Sequence, residues 1–167
     1  MGSYSPLPQL KKEDRQRMID EIVKPTMNGL VQGNYHYCGI LYIGLMMTEN
    51  GPKVIEYNVR LGDPETQVVL PRIKNDFAEV IDVAVNHEKL PEIEENNSSI
   101  LGVVVCSKGY PTHPAPNVKI GKLPRGTNTY IDYANVKGNL NNLIDDGGRL
   151  FMVILEADNL VQAQDNV

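Results

Sequence analysis

The sequence predicts an α+β protein in two parts: an antiparallel sheet with helices on one face over residues 1–95, then a smaller, mostly β unit over residues 96–167. Three observations carry this reading. Apolar residues recur every three or four positions within 11–31 and again within 76–89, the period of a helix face. Two strand-like runs flank a turn signal at 49–52, which is the pattern of a hairpin. Beyond the acidic, apolar-poor stretch EIEENNSS (92–99), short β-branched runs alternate with Gly, Pro and Asn clusters.

The opening MGSYSPLP reads as a loop, because Pro6 and Pro8 push their neighbours out of helical space. A helix follows over 11–23, with Met18, Ile19, Ile22 and Val23 on its apolar face behind the charged KKEDRQR. Pro25 is expected to kink or restart it, and Met27, Leu30 and Val31 carry the period on to a stop at Gly33-Asn34. The aromatic and β-branched run at 35–48 and the run KVIEYNVR at 53–60 form the hairpin, joined through Glu49-Asn-Gly-Pro52. Met46 and Met47 are expected to fill core gaps behind it. A helix at 76–89 places Phe77, Val80, Ile81 and Val85 inward and ends before Pro91. Strands are predicted at 100–107, 128–136 and 149–156, with KGYPTHPAPN, GKLPRG and KGNLNN as separators and a closing helix from about Asn159, in which the chain stops.

With 167 residues, 41% hydrophobic and 22% charged, the chain can bury a core, which argues against disorder. A net charge of -5 and scattered basic residues argue against nucleic-acid binding. No run approaches the roughly 20 apolar residues of a membrane span, and no signal peptide opens the chain, so a cytoplasmic protein without a membrane partner is expected. Cys38 and Cys106 lie in separate apolar runs without metal-ligand spacing and are expected to be buried thiols. His36, His87 and His113 have no partners at catalytic or ligating spacing.

The chemistry concentrates after residue 53. On a strand, residues two apart share a face, so Glu56 and Asn58 stand side by side about 7 Å apart at Cα, with Arg60 next in line and Ile55, Tyr57 and Val59 opposite as an apolar row. One carboxylate and one amide carbonyl are hard oxygen donors that suit a Mg²⁺ ion completed by waters and phosphates, although the same pattern marks any amphipathic strand. Immediately downstream, Leu-Gly-Asp-Pro-Glu-Thr-Gln67 adds two carboxylates, a hydroxyl and an amide. Arg60 can hold a carboxylate or phosphate through its planar fork, and Asp63 and Glu65 can receive an ammonium or a sugar hydroxyl. The alternative is an ion-paired turn with Asp63 capping a helix that starts at Pro64.

The run GILYIGLMMTENGPKVIEYNVRLGDPETQ, with MGSYSP before it and VVVCSKGYP and DDGGRLF after it, resembles the C-terminal half of the phosphoribosylamine–glycine ligase (glycinamide ribonucleotide synthetase) family of ATP-grasp enzymes. The GDPETQ loop is specific to that family, whereas E-x-N is shared by ATP-grasp enzymes generally. The resemblance implies the ATP-grasp large lobe over 1–95 and the family's C-terminal domain over 96–167, and an ATP-dependent joining of glycine to 5-phosphoribosylamine in purine biosynthesis. It places Glu56 and Asn58 at the Mg²⁺ or Mn²⁺ that bridges the ATP phosphates, and Arg60, Asp63 and Glu65 at the substrates in catalytic roles. Met1-Gly2 is similar to the second half of a Gly-Gly-Met-Gly loop, which implies substrate contacts at Gly2 and Ser3.

Departures accompany the match. The acidic ligand that many ATP-grasp enzymes carry on the preceding strand is absent from the apolar Tyr42-Ile-Gly-Leu-Met46, and no phosphate-cradling G-x-x-x-x-G-K occurs in the chain. Nothing before Met1 corresponds to the family's N-terminal portion or the lobe over ATP, so the chain is expected to be a fragment, inactive alone, whose partner is the missing part of the same enzyme. Two alternatives remain at this stage: another ATP-grasp carboxylate–amine ligase, and a non-catalytic binding module of the same fold.

Overall fold

A computed structural model describes residues 1–165 and shows helices with antiparallel sheets throughout, the expected α+β class. The chain divides into two compact units that do not follow sequence order. One contains Met1–Pro6, Asp63–Lys74 and the residues from Glu94 onward; the other contains Leu7–Gly62 and Asn75–Ile93.

The first unit is built on a four-stranded antiparallel sheet of β1 (Gly2–Ser5), β4 (Ser99–Cys106), β8 (Arg149–Ala157) and β5 (Thr129–Tyr133), in that spatial order. The segment read as an opening loop is therefore an edge strand, registered Gly2 to Val103 and Ser5 to Ile100. Gly2 is needed there because a Cβ would come within 2.5 Å of the Gly102 carbonyl oxygen. The short helix α3 (Thr66–Val69) brings Val68 onto one face, where it is buried with Ile100, Val104, Met152 and Ile154. From the other side Ala163 of α5 (Leu160–Asp165) is fully buried. Covered on both faces, β8 reads as the continuous apolar run LFMVIL rather than as an alternation. The expected closing helix is present through Asp165, and its continuation lies outside the described residues.

Residues 63–74 belong with this sheet because Arg72, largely buried, ties them to it. Its guanidinium donates to Ser5 Oγ (2.9 Å) and to the Ser98 and Asn96 carbonyls, and pairs with Glu95 at 3.0 Å. A second hairpin, β6 (Val136–Asn139) and β7 (Asn142–Asp145), occupies the KGNLNN stretch expected to be a separator. Its glycine and asparagines form the turn and the strand ends at once, with Gly138 at φ 101° beside the Asn142 carbonyl.

In the second unit, α1 (Lys12–Met18), a π turn (Ile19–Val23) and α2 (Lys24–Gln32) run on without a break. Pro25, expected to kink or restart the helix, instead follows closely on the π turn, and the wider turn before it takes up the residue that cannot donate without breaking the run. Gly33 ends it, followed by Asn34 at φ 56°. The hairpin comprises β2 (Tyr42–Thr48) and β3 (Gly51–Asn58), so the strand expected from residue 35 starts seven residues later. The turn residues are Glu49 and Asn50, fixed by Thr48 Oγ donating to the Gly51 carbonyl, while Gly51 and Pro52 already lie in β3. Helix α4 (Phe77–Val85) starts at Asp76, whose Oδ1 accepts from the amides of Ala78 (2.9 Å) and Glu79. Its inner face is narrower than expected, since Ile81 and Val85 are exposed. Met46, Met47 and Cys38 are exposed too, against the expectation of core positions and a buried thiol, and Cys106 is half-buried. The cause is common: among the described residues of this unit no apolar side chain is fully buried, so its apolar periodicity has no closed core to face.

Candidate functional site

Within the second unit, Gly44 pairs with Glu56 and Tyr42 with Asn58. Glu56 and Asn58 share a face as their spacing requires, and Asn58 Nδ2 donates to Glu56 Oε1 at 2.8 Å. Gly44 makes this possible, since a Cβ there would approach Glu56 Cγ to 3.0 Å. Leu45 pairs with Val54, leaving Ile55 as an extra residue without a partner. This bulge resets the alternation and turns Val54 to the face of Ile43 and Tyr57, away from Glu56. The expected apolar row is not a buried one: Ile55, Tyr57 and Val59 are 63%, 49% and 74% exposed. Helices approach the Tyr57 side. Thr26 Oγ1 and the Tyr57 hydroxyl are 2.9 Å apart, and Ile43, Leu45 and Met47 share a hollow with Leu10, Asp14 and Met18.

That arrangement leaves an exposed carboxylate and a half-buried amide side by side on the opposite face. Turning the Asn58 amide over presents its oxygen beside the carboxylate, a pair of hard donors at one point. Among the described residues no third carboxylate, histidine or cysteine joins them. Such a set fits an octahedral divalent ion that takes most of its ligands from water and phosphate. Arg60, two residues beyond, is exposed and donates to the Leu61 carbonyl at 2.8 Å. It meets no carboxylate among the described residues.

The remaining residues singled out in the sequence lie in the first unit. Ser3, in β1, donates its hydroxyl proton to the Pro64 carbonyl at 2.6 Å and so fixes the strand to the GDPETQ loop. Asp63 does not cap a helix from Pro64, because α3 begins only at Thr66 with Glu65 at its cap position. Instead Asp63 Oδ2 pairs with Arg149 Nη1 at 3.1 Å, and Oδ1 accepts a 3.4 Å bond from Gln67. The Gln67 Oε1 atom is buried without a partner. Glu65 is half-buried; its carbonyl accepts the Val68 and Val69 amides, and its carboxylate makes no capping bond.

Arg149 is the residue that sequence reasoning missed. It opens β8 after Gly147 and Gly148, at φ 86° and 76°, and its Nη1 also donates to the Asp63 carbonyl at 3.1 Å while Nε donates to the Tyr110 hydroxyl at 3.4 Å. The Tyr110 bond foremost, and the Asp63 charge as well, hold its proton above the ordinary guanidinium range against the cost of partial burial. The paired glycines before an arginine in DDGGRLF are the signal that marks the position.

Two family models match the chain: phosphoribosylglycinamide synthetase, ATP-grasp (A) domain, over residues 1–66, and the C domain of the same synthetase over residues 100–167. Among curated proteins, the phosphoribosylamine–glycine ligase of Halalkalibacterium halodurans is 42% identical over 165 residues, covering 98% of this chain and 38% of the relative. That of Lactococcus lactis is 44% identical over 156 residues, covering 92% and 37%. The chain thus spans about two-fifths of the length of the curated relatives it matches. Among solved structures, phosphoribosylamine–glycine ligase from Thermotoga maritima superposes with a TM-score of 0.82 at 30% identity, over 99% of this chain and 41% of that one. The biotin carboxylase domain of Hydrogenobacter thermophilus 2-oxoglutarate carboxylase, solved with MgADP, superposes at 0.71 with 17% identity over 99% and 36%, a likeness of fold.

Proposed function

We propose, on the premise that the chain belongs to the phosphoribosylglycinamide synthetase family, that it carries the metal-binding strand and substrate loop of an ATP-dependent ligase joining glycine to 5-phosphoribosylamine. The observation that carries this is the Glu56–Asn58 pair on an open strand face, followed within five residues by GDPETQ. Glu56 and Asn58 would hold Mg²⁺ or Mn²⁺, which supplies charge neutralisation on the triphosphate when bound.

The reaction must overcome the poor electrophilicity of a carboxylate. A glycine carboxylate oxygen attacks the γ-phosphorus and ADP leaves, giving glycyl phosphate. The amine nitrogen of phosphoribosylamine then attacks the acyl carbon, phosphate departs and the nitrogen loses a proton. No side chain has to act as nucleophile, so the residues serve by placing charge. Arg60 meets an anionic group of a substrate with its exposed fork. Asp63 and Glu65 receive ammonium or hydroxyl groups, and the edge strand at Gly2 and Ser3 holds the loop that presents them.

The test is ADP release dependent on both glycine and phosphoribosylamine by the protein that contains this chain. Glu56→Gln is expected to lower turnover at least tenfold and raise the Mg²⁺ requirement, because the amide keeps an oxygen donor and loses the charge. Asn58→Ala should lower turnover with the melting temperature unchanged. Full turnover by both variants at limiting Mg²⁺ refutes the metal assignment.

A further inference from the structure

We propose that Arg149 is a positioning residue of the substrate loop, fixing the Asp63 carboxylate so that one oxygen is left for a substrate ammonium or hydroxyl; the inference rests on the function proposed above. One guanidinium fastens two loops of the same unit to the start of β8. Nη1 grips Asp63 twice, at its carboxylate and its carbonyl, both at 3.1 Å. Nε holds the hydroxyl of Tyr110, in the loop that follows β4. The Ser107 amide donates to the Gly148 carbonyl at 2.8 Å, closing the turn that launches Arg149 against the end of β4.

Stability alone does not account for this arrangement. The ion pair is partly open, with the Arg149 and Asp63 side chains 33% and 57% exposed, and pairs of that kind add little to folding. What they do fix is direction. Oδ2 is committed to Arg149, whereas among the described residues Oδ1 keeps only the long Gln67 contact, on a side chain that faces water for more than half its surface. A carboxylate held at one oxygen and open at the other receives a cationic or hydroxyl group without first reorganising. Both contacts with Asp63 come from the one nitrogen Nη1 while Nε reaches the Tyr110 hydroxyl, and it is this span between two nitrogens of one rigid plane that an ammonium cannot reproduce.

Steady-state kinetics of the full-length protein carrying this chain decide the matter. Arg149→Met is expected to raise KM at least tenfold for glycine or for phosphoribosylamine, with kcat within threefold and KM for ATP unchanged. Arg149→Lys should recover part of the loss. Combined with Asp63→Asn, Arg149→Met should add nothing to the defect of Asp63→Asn alone, since it acts through that carboxylate. Multiplicative defects, which mean an independent substrate contact, overturn the proposal, as does a lowered melting temperature with every KM preserved. The Asp63 carboxyl carbon, followed by NMR, supplies a readout that needs no turnover. Its resonance should shift in Arg149→Met, and an unmoved resonance refutes the positioning role even in a protein that releases no ADP.

Discussion

Glu56 and Asn58 were legible from spacing because no irregularity lies between them, so the two-residue period of a strand holds across that interval. Two residues earlier the same rule fails. Nothing in the side chains of Val54 or Ile55 announces a bulge, yet it decides which of them shares the Glu56 face. The Asp63–Arg149 pair is 86 residues apart, and a local pattern cannot join positions whose contact is made by sheet topology. Arg60, by contrast, combines a readable identity with a side chain that, among the described residues, is bound to its neighbour's carbonyl. Replacing it with lysine is expected to raise KM for an anionic substrate group about tenfold, because the charge remains and the planar fork is lost. Its melting temperature should stay within a degree or two, and kinetics that match the parent for both glycine and phosphoribosylamine assign the residue to structure.

Helices and strands were readable to different degrees for reasons of the same kind. The helix after Asp76 announces itself by an N-cap residue before an apolar period, and the cap is made as read. Asp76→Ala should destabilise by about 1 kcal/mol, measured by urea unfolding, through loss of the bonds to the Ala78 and Glu79 amides. A midpoint unchanged from the parent would mean that the first turn is held by packing. The strands that escaped notice, β1 and β6 with β7, are four residues each, and Gly, Ser, Asn and Lys make up much of β1 and β6 while β7 carries only Leu143 and Ile144 as apolar members. Their pairing is set by partners distant in sequence or by a turn whose residues also end the strands, so propensity carries little information about them.

At the scale of the whole molecule, every buried aliphatic or aromatic side chain among the described residues, proline aside, belongs to the unit of the four-stranded sheet. That unit should therefore unfold last, while the sites offered by β3 stand on a unit that lacks such a core. Two protein donors and no phosphate-cradling loop make a weak nucleotide site. The 167-residue chain alone is expected to fold, to bind Mg-ATP only at millimolar concentrations or above, a binding energy of about 4 kcal/mol or less, and to form no product. Calorimetry and a product assay check this, and micromolar binding would show that the nucleotide is held elsewhere. No helix among the described residues is long and apolar enough to cross a membrane.

The pairing of Gly2 with Val103 has a consequence in time as well as in space. A ribosome delivers β1 about a hundred residues before the strand that receives it, so the edge that β4 will cover waits for its partner. The pair can form only when the intervening segment has been made, so it closes a loop of about a hundred residues. The brevity of that edge, four residues with serine at two of them, limits how well it can recruit a neighbouring chain during the wait.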